Sequence, residues 1–170
     1  MTTPTLFINA RVIDGLSAQP RANVSMLVEG ERIARVVDGP LTVPGATVVD
    51  LAGKTVLPGL IDTHIHTVMM DAESFPLFLA AGVTTARDVG GRLDLVLKNR
   101  DDLNSGRKLG PRLFVCGPLL DGPGASFENP GLTIMLDRVQ SVAEVPSKIG
   151  GLLAAGVDGV KCYFTMTTDI

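Results

Sequence analysis

An α/β fold led by a small β unit is what this sequence predicts, and three observations carry the prediction. Residues 5–57 are short Val- and Ile-rich runs cut by Asp-Gly, Glu-Gly, Gly-Pro and Pro-Gly breaks. From residue 58 short apolar runs alternate with helical ones, the pattern of βαβ units and a parallel sheet. Hydrophobic residues fill 45% of the 170 positions, with only 4% aromatic and a mean hydropathy of +0.32. The apolar excess is therefore Val, Leu, Ala and Ile, which suits strands buried on both faces.

The N-terminal runs are "TLFINARVID", "VSMLVEG", "RIARVVD" and "ATVVDL". They predict a small antiparallel unit over 1–57, with "VEGER" as a hairpin in which Gly30 takes positive φ. About 50 residues are marginal as an independent fold. Over 58–170 the strands "GLIDTHIH", "VTTARDV", "RLFVCG" and "GVDGVKCYF" alternate with the helices "AESFPLFLAA", "LDLVLKNRDDL" and "SVAEVPSKIGGLLAA". Ser141 and Glu144 have capping-box spacing for the last helix, with Pro146 in its first turn. A faint repeat, "LAAGVTTARDV" at Leu79 and "LAAGVDGVKCY" at Leu153, places Gly82 and Gly156 just past two helix ends. Four parallel strands with no closing element make an incomplete architecture.

Charge and hydropathy exclude several classes of function. Net charge is −3, with acids and bases interleaved, so no basic stripe is present to bind nucleic acid. No apolar run reaches the roughly 18 residues of a membrane span. The start "MTTPTLFINARVIDG" lacks the features of a signal peptide, so a cytoplasmic location is expected. Cys116 and Cys162 sit in separate apolar runs and read as buried thiols.

The chemistry gathers in "LPGLIDTHIHTVMM", which holds both histidines of the chain, His64 and His66. On a strand, residues two apart share a face, so Asp62, His64 and His66 project together. Two imidazoles at this spacing reach one divalent ion, and imidazole suits zinc. Spacing alone leaves open the alternative of two solvated or core-capping histidines.

The wider stretch "AGKTVLPGLIDTHIHT" resembles the amidohydrolase superfamily, whose first barrel strand carries H-x-H after a GK-x-x-x-PG-x-ID lead-in. "INARVIDG", "MLVEGERIARV" and "VVDL" are similar to that family's N-terminal β-sandwich segment. "GVTTARDVGG", "GPRLFVCGPLL" and "GVDGVKCYF" resemble its second, third and fourth barrel strands. The resemblance implies about the first four βα units of a (β/α)8 TIM barrel behind a small β-sandwich segment. Within the superfamily it is nearest the binuclear branch of prolidase-like and imidazolonepropionase-related enzymes.

That branch implies two divalent metal ions, zinc for preference, held by His64, His66 and a carboxylated lysine that bridges them. The matching lysine is Lys161. A lysine within an apolar strand is unusual, and burial favours its reactive neutral form; the alternative is an exposed lysine at a strand end. Asp62 is a candidate to orient an imidazole, or an ordinary inward polar residue. Asp88 is a pocket candidate, or half of a surface pair with Arg87. Tyr163 shares the face of Lys161 and lines the pocket or packs there. "DVGG" is weak evidence for a phosphate turn, and Met69 and Met70 read as core or loop filling.

The implied activity is hydrolysis of non-ester C–N bonds, in amides, dipeptide-like substrates or cyclic amides, through a metal-bound hydroxide. The family pattern continues with histidines after strands five and six and a general-base aspartate after strand eight. This sequence holds no third histidine. The expectation is thus the N-terminal portion of a longer hydrolase, inactive alone. The alternative is a non-catalytic half-barrel that forms homo-oligomers or complements a separately encoded C-terminal half.

Overall fold

The computed structural model describes residues 3–125 and 129–163. The chain divides into two compact units, Met1–Pro58 and Gly59–Ile170. The first holds β1 (Thr5–Val12), β2 (Arg21–Glu29), β3 (Arg32–Asp38), β4 (Thr47–Asp50) and β5 (Thr55–Val56) in one sheet. The hairpin expected at "VEGER" joins β2 to β3 antiparallel, with Gly30 at φ 59°. The wholly antiparallel expectation is corrected at the other edge, where β4 and β5 both run parallel to β1. Short turns favour antiparallel neighbours, but β4 returns to the far side of β1, and its direction follows from that crossover. Ala10, Val12, Val24 and Met26 form this unit's buried core, joined by Phe7, Leu51 and Val56.

The second unit carries β6 (Leu60–Ile65), α1 (Phe75–Ala80), β7 (Val83–Asp88), α2 (Leu93–Asn104), β8 (Arg112–Val115), β9 (Leu119–Asp121), β10 (Leu136–Arg138), α3 (Val145–Ala154) and β11 (Lys161–Cys162). Strands β6, β7 and β8 pair in parallel, in chain order. Ile65, Ala86, Leu113 and Val115 from these strands bury against Phe75, Val96 and Leu103 from the helices. Burying one such Phe or Leu stabilises the layer by about 1.5–3 kcal/mol. Gly82 and Gly156 adopt φ 82° and 79°, ending α1 and α3 as the repeat predicts.

Two expectations change here. The third strand is not continuous: after β8 the chain turns at Gly117, φ 75°, and enters β9 in a separate sheet. That sheet has the order β10–β9–β11, all parallel, so β11 pairs with β9 and not with β8. Among the described residues neither sheet closes. Three residues are too short to show a period, which hides β10, and the Gly117-Pro118 pair that separates β9 from β8 lies inside the single apolar run "RLFVCGPLL".

The capping box is also incomplete. The Ser141 side chain makes no cap hydrogen bond, while Glu144 Oε2 accepts from Gln140 N at 3.1 Å. A turn of 3-10 helix over Val142–Glu144 precedes α3, and Pro146 sits in the first turn of α3 as expected. Of the two thiols only Cys116 is buried, and burial pushes it up from its ordinary pKa; Cys162 is exposed. Phe164, the last residue of the expected fourth strand, lies outside the described residues.

Candidate active site

The site begins with the strand–turn geometry of "PGLIDTHIH". Gly59 is needed for close approach, since a Cβ there would lie 2.0 Å from Thr84 Oγ1 on the neighbouring strand β7. Strand β6 then carries His64, and His66 follows in extended backbone (φ −134°, ψ 97°) ahead of a 3-10 turn over Thr67–Met69. Keeping the backbone extended for one residue past the strand puts both imidazoles on one side. Their ring centroids are 5.5 Å apart, with planes at 71°.

His64 and His66 line a cavity of about 230 Å³ with Lys161 and Tyr163, from the opposite end of the same unit. Met69, Leu119, Leu132 and Met135 complete the lining. Lys161 enters because β11 pairs with β9, Lys161 facing Leu119 in register. It is half-buried, neither sealed in an apolar strand nor fully solvated. Tyr163 is held by its backbone N–H, which donates to Leu120 O at 2.8 Å. Met69 is thus a wall of the cavity and not filling, whereas Met70 packs against the core. A methionine pair has no chemical signature from which that split could be read.

The two aspartates diverge. Asp62 Oδ1 accepts the backbone N–H of its own strand neighbour His64 at 3.1 Å and does not line the cavity. Asp88 is fully buried and makes no surface pair with Arg87, whose Nε donates to Thr63 O at 3.0 Å. Instead Asp88 accepts from Thr67 N, Thr67 Oγ1 and Gly90 N. The "DVGG" turn matters after all, as a seat for a ring: His66 Nδ1 lies 2.8 Å from Gly90 O. A strand followed by Asp-x-Gly-Gly was the available signal, and only the fold brings it beneath His66.

The donor set can be compared with what a divalent ion requires. Zn–N bonds of about 2.0–2.1 Å place the centroids of two imidazoles sharing one ion about 5 to 6 Å apart, as His64 and His66 stand. Since a carbonyl only accepts, Gly90 O requires hydrogen on His66 Nδ1, which leaves Nε2 as the ring nitrogen available to an ion. Among the described residues no three His, Cys, Asp or Glu side chains gather as a ligand set, and Lys161 lines the same cavity as the two histidines. The two histidines fit a shared ion.

No protein-family model matches the chain. The exoenzymes regulatory protein AepA of Pectobacterium carotovorum subsp. carotovorum is 36% identical over 77 residues, 42% of this chain and 17% of that protein. Among solved structures, an amidohydrolase aligns with a TM-score of 0.78 at 27% identity, covering 94% of this chain and 46% of its own. A Xaa-Pro dipeptidase with methionine bound in its active site aligns at 0.76 and 25%, covering 94% and 47%. Phenylurea hydrolase B aligns at 0.71 and 25%, covering 94% and 45%. The chain spans about half the length of the solved structures it matches.

Proposed function

We propose, from the premise that this chain resembles amidohydrolases and prolidases in a match that fits their N-terminal portion, that it supplies one side of the metal site of a C–N bond hydrolase. Its parallel strands are then the first strands of a (β/α)8 barrel, and the N-terminal sheet is part of a β-sandwich segment. The observation that carries the proposal is the convergence of His64, His66, Lys161 and Tyr163 on one cavity from the two ends of the second unit.

In this reading His64 and His66 would hold one ion of a zinc pair, and Lys161, once carboxylated, would supply an anionic oxygen ligand to the pair. Carboxylation joins the neutral Lys161 amine to carbon dioxide, forming an N–C bond and releasing a proton; an anionic oxygen ligand replaces the ammonium. A divalent ion held there supplies carbonyl polarisation and acidifies water near neutral pH. The chain's own residues do the rest of what falls to this side. His66, fixed by Gly90, presents Nε2 in one orientation. Met69, Leu119, Leu132 and Met135 give the cavity an apolar wall around the polar cluster. The substrate class is a small amide, dipeptide-like or cyclic amide molecule.

Zinc titration of the metal-free chain tests this reading. Binding is expected, weakened more than about a hundredfold by His64→Asn or by His66→Asn, since losing a ligand exceeds the roughly 10- to 100-fold loss of a ligand's supporting contact. Absent binding, or binding indifferent to both substitutions, would sink it. A second reading, a non-catalytic half that self-associates or complements another half, is favoured by the unclosed sheets. Bound zinc without hydrolysis of amide or dipeptide substrates would support that one.

A further inference from the structure

We propose that Asp88 is the positioning residue for His66, an inference that rests on the metal site above and names what sets one of its imidazoles. His66 is held at two places. Its ring Nδ1 meets Gly90 O at 2.8 Å, and its backbone runs directly into Thr67, which is 1% exposed. Both places hang on one carboxylate. Asp88 Oδ1 accepts from Gly90 N at 2.9 Å, and Oδ2 accepts from Thr67 N at 2.8 Å and Thr67 Oγ1 at 2.6 Å.

A capped turn accounts for the bond to Gly90, two residues on. It does not account for two bonds to Thr67, which is 21 positions away on another strand's exit. The Thr67 hydroxyl also accepts from Asn99 Nδ2 at 3.2 Å, which directs its own hydrogen to Asp88. Asp88 is 0% exposed, and a buried carboxylate is tolerated where converging donors satisfy it.

Gly90 completes the seat. A Cβ there would come within 2.7 Å of Leu119 Cδ2 and 3.0 Å of His66 Cε1, so the imidazole packs on bare backbone. The sequence of constraints runs from Asp88 to the Gly90 peptide, to the Nδ1–H of His66, and so to a free Nε2. Asp88 therefore fixes the tautomer and the ring direction of His66 without touching it.

With only two histidines in the chain, nitrogen-15 NMR of the labelled, metal-free protein reads each imidazole's tautomer separately. His66 is expected to be predominantly Nδ1–H. In Asp88→Asn one oxygen and one amide group cannot serve three donors, so His66 is expected to shift to a mixture. Zinc affinity should then fall about 10- to 100-fold, the usual loss on removing a ligand's supporting contact. Circular dichroism monitors the fold. Should D88N not fold, Thr67→Val, which removes the hydroxyl's bonds to Asp88 and Asn99 and keeps the backbone bond to Asp88, carries the test with a smaller shift in the same direction.

An Nε2–H His66 in the wild-type protein, or a folded variant with unchanged tautomer and affinity, overturns the proposal. A tautomer shift in chains that bind no zinc upholds the role of Asp88 and defeats the metal reading alone.

Discussion

Asp102 shows how one buried carboxylate organises a surface of this protein. Its side chain, 11% exposed on α2, meets Lys98 Nζ at 2.6 Å, Arg107 Nε at 3.0 Å and Lys108 Nζ at 3.5 Å. The hydrogen bond from Lys98, then that from Arg107, hold its pKa down at about 2. A carboxyl lowered from its ordinary value of about 3.9 adds stability at higher pH, and that contribution is lost as pH falls through the folded value. The thermal midpoint should therefore drop between about pH 4 and pH 2, and Asp102→Asn should flatten that slope. Equal slopes would discount the cluster. In sequence Asp88 follows Arg87 and Asp102 follows Asp101, and neither neighbour marks where the acid ends up. Asp102 ends up among cations and Asp88 among the buried donors of Thr67 and Gly90, and contacts between distant segments make the difference.

Between elements, the unexpected feature is how β11 is joined to the first sheet. It pairs with β9, yet the turn leading into it is tied to the end of β8. Asp158 N donates to Val115 O at 2.8 Å, and Asp158 Oδ2 accepts from Val115 N at 2.9 Å. Arg100 on α2 adds a hydrogen bond to Gly156 O and lies 3.7 Å from Asp158. One residue thus supplies both bonds of a missing strand pair. Asp158→Ala leaves Val115 N–H without its partner and should cost about 1–3 kcal/mol, measured by urea unfolding. Asp158→Asn retains an acceptor and should recover most of that. The strand "GVDGVKCYF" was legible as apolar and extended; that its Asp would do the pairing was not, because a side-chain bond leaves no period in the sequence.

At the scale of the whole molecule, both parallel sheets have open edges among the described residues. Strands β6 and β8 end one parallel sheet, β10 and β11 the other. Leu60 and Ile61 on β6 are 50% and 65% exposed, and an edge strand carrying apolar side chains invites pairing. Light scattering of the isolated chain should show association that grows with concentration, and a monodisperse monomer across that range would refute it. No helix among the described residues is long and apolar enough to cross a membrane.

By itself, the sequence determined most of the strands and helices (β10 and the break between β8 and β9 excepted), the glycine stops at Gly82 and Gly156, and the pairing of His64 with His66 on one side. These are local matters, set by apolar period, by backbone freedom at glycine and by the alternation of an extended chain. Only the tertiary structure decided that β9 separates β8 from β11, that Lys161 reaches the cavity of the histidines, and that Asp88 binds Thr67 and Gly90 while Asp62 binds its own strand neighbour. Those outcomes rest on hydrogen bonds and packing between residues 20 to 100 positions apart, where no local pattern records the partner.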